Sequence, residues 1–599
     1  MSTLQALFAD PPQPRYKGVR SHSQYLTMRD GIQIAVDIML PLDLPAGERI
    51  PALMIMARYW RSLDLRMPNP PKKALIGPRA AAPDDFIARG FGLVVVDARG
   101  TGASTGVSRC PWSAEEIADY GEVAAWVLAQ RWCNGRIGAY GISYEGASAQ
   151  RLIASGVPGI RGVIPQEIEY DVYADVALPG GIFNEAFIKA WSESNARLDS
   201  GKPSSLFPLA ARLITRGVRP VDADRQARET LAQALRDHQE NTNVFAAMSR
   251  VTYRDDPFGE TGVTLDDFSI FSHHDAIQGS GVPMFTWGSW LDGAAAEAAL
   301  RNFNTFDVPQ IIVIGAWKHE MTRHGSPFEK AGAPPDPTQA QQWAAMASFF
   351  EQTLVKDQPP TGRVLHYTTL GEGGWKTTAV FPPTGALAQR WYFQAGRALS
   401  PEMPGEAHAA DAYTVDFEAT TGTTNRWHTQ MARPLHYPDR ARADRRLLTY
   451  TSEALKTDIE ITGWPVVTLF VASSEEDGAF FVYLEDVDER GVVRYLTEGQ
   501  LRGIHRRLSD TPPPYATGMP YHSCRRSDAA PMPRGETVEL VIGLQPISAL
   551  VRQGHRLRIA VAGADKDTFA RIPAAGMTTL QVSRSQGAAS HVVLPIIPR

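Results

Sequence analysis

The 599-residue sequence predicts an α/β domain on a largely parallel sheet, interrupted by a helical insertion and followed by an all-β region. Three observations predict it. Short apolar runs alternate with amphipathic stretches from about 21 to 165; the alternation lapses from about 171 to 271; after about 388 nearly every apolar run is short and strand-like. The runs at 34–40, 52–56 and 92–96 read as strands and 114–130 as an amphipathic helix. Residues 136–140 read as the next strand, 145–155 as its helix, and 162–165, 282–287 and 310–314 as later strands. Helical pieces at 208–215 and 225–235 fall in the lapse, as an inserted cap would place them. Runs at 466–471, 479–484, 538–542 and 557–561 carry the signature of a β-sandwich, with a long loop at 509–520. Pro-rich segments at 358–361 and 381–385 separate the halves. The expected plan is a first α/β part over 1–165, a helical cap over 166–275, a second α/β part over 276–387 and a β-sandwich over 388–599.

Composition narrows the function. Sixty basic and 65 acidic residues are spread without long runs and leave a net charge of -5, so nothing draws the chain to nucleic acid or an anionic membrane. Three cysteines, Cys110, Cys133 and Cys524, lack C-x-x-C spacing and predict neither a disulfide framework nor a zinc site. Met1 to Lys17 shows no signal-peptide pattern, and no run approaches the roughly 20 apolar residues of a membrane helix, so a cytoplasmic location is expected. Neither a cofactor nor a metal is expected, and homo-oligomerisation is left open.

Gly138 to Gly146 reads Gly-Ala-Tyr-Gly-Ile-Ser-Tyr-Glu-Gly, which puts Ser143 between a strand and a helix. A nucleophile elbow of this kind needs small neighbours so that the chain can turn sharply and expose Oγ. The general pattern G-x-S-x-G wants glycine where Glu145 stands; here the second glycine comes one residue late, at Gly146. The bland alternative is a plain strand-to-helix turn in which Ser143 caps the helix.

A serine nucleophile in this setting is followed along the chain by an acid and then a histidine. Asp292 follows the apolar run 282–287 on the loop Gly288-Ser289-Trp290-Leu291-Asp292-Gly293 and is the candidate acid. His319 follows the run 310–314 on Gly315-Ala316-Trp317-Lys318-His319 and is the candidate base, with His324 as the fallback. The carboxylate would fix the imidazole tautomer while the imidazole takes the serine proton. Asp97 precedes Ser143 and is read as fixing its turn through Arg99 and Gly100. His273, His274 and Asp275 lack a third ligand at a recognisable spacing and are read as surface or packing groups.

These segments resemble one serine hydrolase family. Gly141-Ile142-Ser143-Tyr144-Glu145-Gly146 is similar to the G-x-S-Y-x-G elbow of the cocaine esterase, glutaryl acylase and X-Pro dipeptidyl-peptidase group, the CocE/NonD family. The stretch from Val94 to Gly100, the Asp292 and His319 loops, Asp477 to Val487 and Gly554 to Ile559 also match, so the resemblance covers nearly the whole chain. It implies an α/β-hydrolase fold with an inserted helical cap and a C-terminal jelly-roll sandwich, and a serine hydrolase that cleaves a small-molecule carboxylic ester or amide through an acyl-enzyme with a Ser-His-Asp triad. It also implies an oxyanion hole made by the backbone N–H of Tyr144 and the hydroxyl of Tyr59, although Ala57-Arg58 departs from the Asn-Pro or Thr-Pro usual before that tyrosine.

Trp60, Tyr144, Phe183, Trp290 and Trp317 lie near these positions in sequence and are candidates for an aromatic substrate pocket. Family members that hydrolyse α-amino acid esters carry acids just after the catalytic aspartate, whereas Gly293-Ala294-Ala295-Ala296 follows here. An ammonium site would instead draw on Glu167, Glu169, Asp171 or Glu185. The alternatives are an X-Pro type peptidase or acylase, an inert β-sandwich binding protein, and a dinucleotide-dependent oxidoreductase suggested by Gly100-Thr101-Gly102.

Overall fold

Ten strands build the first sheet: β1 (Val19–Thr27), β2 (Gln33–Pro41), β3 (Ile50–Ala57), β4 (Gly92–Asp97), β5 (Cys133–Ile142), β6 (Ile160–Gln166), β7 (Met284–Ser289), β8 (Gln310–Gly315), β9 (Arg363–Thr368) and β10 (Trp375–Thr378). They come from a computed structural model that describes residues 11–66, 83–222 and 225–599. Their order is β1-β2-β4-β3-β5-β6-β7-β8-β9-β10. The central run from β4 to β9 is parallel, and β1, β2 and β10 join it antiparallel. Helices on both faces bury the middle strands completely, which is why β3 and β4 read as unbroken apolar runs rather than alternating ones.

Local chemistry sets the helices. α1 (Ala114–Leu128) starts at Ser113, whose side chain accepts the Glu116 N–H, and carries Glu115 and Glu116 in its first turn. α2 (Tyr144–Arg151) follows β5 directly and tightens into a 3-10 turn over Leu152–Ser155, ending at Gly156 with φ 72°. The insertion between β6 and β7 contains α3 (Glu185–Asp199) and shorter helices at Leu209–Ile214, Arg225–Asp237 and Val244–Met248, so the expected cap is present. Arg58, at the end of β3, grips Asp199 at the end of α3 by two bonds of 2.8 and 2.9 Å, both groups buried. That pairing accounts for an arginine where the resemblance leads one to expect proline. α4 (Ala295–Thr305) follows the Asp292 loop, and α5 (Gln339–Phe350), opened by a Thr338/Gln341 capping box, covers the sheet near β5 and β6.

The C-terminal β-sandwich carries fourteen strands in one hydrogen-bonded network, from Leu387–Phe393 to His591–Ile597. Its apolar interior is continuous with the end of the first sheet: Trp290, Leu291, Ile312, Ile314 and Leu365 share a core with Val467, Leu484 and Ile559. The three cysteines are buried free thiols. Among the described residues no helix is long and apolar enough to cross a membrane. The first ten residues of the stretch read for a signal peptide lie outside the described ones.

Candidate active site

The backbone of Ser143 has φ 61° and ψ -128°, a conformation that costs a non-glycine residue of order 1–3 kcal/mol. The turn holds because its N–H donates to the Gln166 carbonyl at 2.9 Å while its carbonyl accepts the Ala147 N–H at 2.9 Å. Both flanking glycines are sterically required. A Cβ on Gly141 would lie 2.5 Å from the Glu145 carbonyl carbon; one on Gly146 would lie 2.6 Å from the Gly141 oxygen and 2.9 Å from the Gln166 nitrogen. The late glycine is thus where α2 crosses the backbones of β5 and β6, and position 145 has room for a side chain.

Asp292 and His319 lie on loops after the neighbouring strands β7 and β8, and His319 Nδ1 meets Asp292 Oδ2 at 2.6 Å. Asp292 is fully buried and His319 nearly so. Burial opposes a proton on His319, but the Asp292 charge and hydrogen bond outweigh it and raise the imidazole pKa above its ordinary value. Ser289, which the sequence reading left aside, ties the two loops together. Its hydroxyl donates to the Trp317 carbonyl at 2.6 Å and accepts the N–H groups of Leu291 and Trp317, each at 3.1 Å. The sandwich completes the frame: the His319 N–H donates to Thr429 Oγ1 at 2.8 Å, and Arg426 exchanges bonds of 2.7 and 2.8 Å with Gly293. His324, the fallback base, instead accepts the Ser326 N–H at 3.2 Å.

Ser143 opens into a cavity of about 560 Å³, mouth included, whose wall also holds Tyr59, Glu167, Ala294, Ala295 and Gln430. Tyr59 is kept protonated by burial, and its hydroxyl accepts the Trp191 Nε1–H at 2.9 Å, which leaves its own proton to donate elsewhere. Tyr144 contributes differently. Its ring stacks on Trp112 at 4.3 Å and its hydroxyl bonds Glu116 at 2.8 and 2.9 Å, so only its backbone N–H, a first-turn donor without an intrahelical acceptor, is left to an oxyanion.

Several expectations need correction. Trp60, Phe183, Trp290 and Trp317 do not line this cavity. Trp60 packs in a small core with Ala35, Leu198 and Val218, and Phe183 packs on Phe245 at 5.9 Å. Trp290 donates to the Thr368 carbonyl at 2.8 Å, and Trp317 donates to Glu167 Oε1 at 2.5 Å. The apolar wall is formed instead by Trp112, Phe187 and Trp191 with Ile168, Val172 and Met248, largely from the cap, which nothing near the motifs announced. Asp97 fixes its turn through Arg61 and the Ala103 N–H, at 3.0 and 2.8 Å, while Arg99 turns to Asp119 and Asp30. The Gly100-Gly102 turn packs on that buried carboxylate, a Cβ on Gly102 falling 2.2 Å from it, which is no cradle for a phosphate. His274 pairs with exposed Asp275 at 3.0 Å.

A parallel-centred sheet with a strained serine elbow, a buried Asp–His pair and a helical cap defines an α/β-hydrolase. Residues 30–321 match the family model of the X-Pro dipeptidyl-peptidase (S15 family), and residues 355–594 that of the X-Pro dipeptidyl-peptidase C-terminal non-catalytic domain. A predicted serine esterase of Mycobacterium bovis is 39% identical over 98% of this chain and 96% of its own. The cocaine esterase of Rhodococcus sp. is 24% identical over 96% and 97%. A CocE/NonD family hydrolase from Staphylococcus aureus has the same fold, with a TM-score of 0.70 at 19% identity over 97% of this chain and 94% of that one. The chain belongs to the CocE/NonD and X-Pro dipeptidyl-peptidase family of serine hydrolases.

Proposed function

We propose that the protein is a carboxylesterase working through Ser143, His319 and Asp292. The observation that carries this reading is the buried 2.6 Å contact from His319 Nδ1 to Asp292, on loops that follow the neighbouring strands β7 and β8 of the sheet whose β5 ends at Ser143. With Nδ1–H donated to the carboxylate, Nε2 is the acceptor for the Ser143 proton. Ser143 Oγ then attacks the ester carbonyl, and the oxyanion takes the Tyr144 N–H and the Tyr59 hydroxyl. Collapse of that intermediate expels the alcohol, which receives the proton from His319; water, activated by the same imidazole, releases the acid.

The cavity wall supports an uncharged acyl or alcohol group. Its acids are paired: Glu169 with Arg151 at 3.2 Å and Asp175 with Arg301 at 2.5 Å, while Glu167 accepts from Trp317. Asp171 is held by Arg254 at 2.8 Å, and Glu185 is exposed at the start of α3. A second reading, an X-Pro type peptidase or acylase, draws on the family match over 30–321. Hydrolysis of short-chain nitrophenyl esters and of X-Pro nitroanilides by the wild type and by Ser143→Ala separates the two. The expected result is ester hydrolysis that falls by at least about 10⁴-fold in the variant; faster cleavage of the anilides would favour the peptidase, and an undiminished variant would remove Ser143 from the reaction.

A further inference from the structure

The acid of this site is itself held by a second carboxyl group. Asp292 Oδ2 receives His319, but Asp292 Oδ1 is buried and accepts no N–H or hydroxyl among the described residues. The same holds for Glu167 Oε2, the other oxygen of Glu167 taking the Trp317 indole N–H at 2.5 Å. Glu167 follows β6 at φ 46°, its N–H fixed to the Trp287 carbonyl at 2.8 Å, and its side chain is in hydrogen-bond contact with Asp292. Two carboxylates in contact, both out of water, cannot both be ionised; one proton lies between them. We propose that Glu167 is a positioning residue whose protonated carboxyl donates to Asp292 Oδ1, completing a chain from Trp317 through Glu167 and Asp292 to His319.

The proposal rests on Asp292 and His319 being the acid and base. Burial and then the Asp292 charge raise the Glu167 pKa well above the carboxylate range, which favours the protonated acid on Glu167. Most charged side chains on the neighbouring segments are paired. On the His319 loop, Lys318 and Glu320 pair at 2.7 Å; Glu169 pairs with Arg151; Glu145 lies on α2; and the sandwich offers uncharged Thr429, with Arg426 engaged at the Gly293 carbonyl. A neutral donor on Oδ1 spreads the Asp292 charge over both oxygens and so moderates how strongly the carboxylate raises the imidazole pKa. It also locks the carboxylate plane that orients the ring.

The test compares pH profiles of kcat/KM for ester hydrolysis by the wild type, Glu167→Gln and Glu167→Met, with folding followed by circular dichroism. Glutamine can accept from Trp317 and donate to Asp292 as the protonated acid does, so it should stay within about threefold of wild type with the acid limb in place. Methionine removes the donor. It should lower kcat by about tenfold or more, leave KM nearly unchanged and move the acid limb to higher pH. A folded Glu167→Met with wild-type kcat, or a Glu167→Gln limb shifted to lower pH as loss of a negative charge would cause, overturns the proposal. Asp292→Asn is run alongside: if it stays fully active, the assignment of the acid has failed rather than that of Glu167.

Discussion

At Ser143 a strained backbone, a half-buried side chain and the first turn of α2 coincide, the arrangement that the proposed attack needs, at the expense of local stability. Tyr59 is the residue whose contribution is most separable. Its hydroxyl has the Trp191 N–H as donor and the cavity before it, so Tyr59→Phe should lower kcat roughly 100- to 1000-fold with little change in KM. Steady-state kinetics on one ester checks this, and a loss confined to KM would assign Tyr59 to substrate binding instead. On the proposed mechanism His319 sets the pH dependence. As a base it works only when neutral, and Asp292 raises its pKa, so kcat/KM should climb with pH and reach half its plateau above 6.5, the ordinary histidine value. A midpoint below that value would mean that burial, and not Asp292, dominates the imidazole.

At the scale of elements, the elbow is a packing solution. α2 crosses the backbones of β5 and β6 at Gly146, and Tyr144, just after Ser143, is anchored by Glu116 of α1. Burial raises the Glu116 pKa to about 7, with Tyr120 and Tyr144 as its hydrogen-bond partners. Tyr144→Phe should therefore cost about 1–3 kcal/mol of stability while kcat stays within a few-fold, since the backbone N–H remains; thermal melts and kinetics on the same sample decide. A catalytic collapse without loss of stability would place the Tyr144 side chain in the reaction. The sequence made the elbow, Asp292 and His319 legible because each closes an apolar run on a short glycine-containing loop. It did not reveal the cavity wall, because Trp191, Phe187 and Met248 line the cavity from an inserted cap that is remote in sequence from the Ser143, Asp292 and His319 motifs. Nor did it reveal α5, although Thr338-Gln339-Ala340-Gln341 is a capping box, or the bridging role of Ser289, since an ordinary loop serine carries no signal.

The whole molecule works as one unit because the sandwich supplies part of the site. Thr429 and Gln430 lie on a single 3-10 turn, one accepting the His319 N–H and the other facing the cavity with Ser143. Trp464 donates to Glu297 on α4 at 2.5 Å, and the core shared by the two regions buries Trp290, Leu291 and Leu365. Each such large side chain left exposed forfeits about 1.5–3 kcal/mol. A chain ending at 387 should therefore be inactive and aggregate on size-exclusion chromatography; a monomeric, active fragment would refute the dependence on the sandwich. The triad itself is tested most directly by reacting the full chain with a fluorophosphonate and mapping the adduct by mass spectrometry. A single adduct on Ser143, absent from Ser143→Ala and slowed in His319→Ala, is the expected result; an adduct on another serine, or one that forms unchanged without His319, would contradict it.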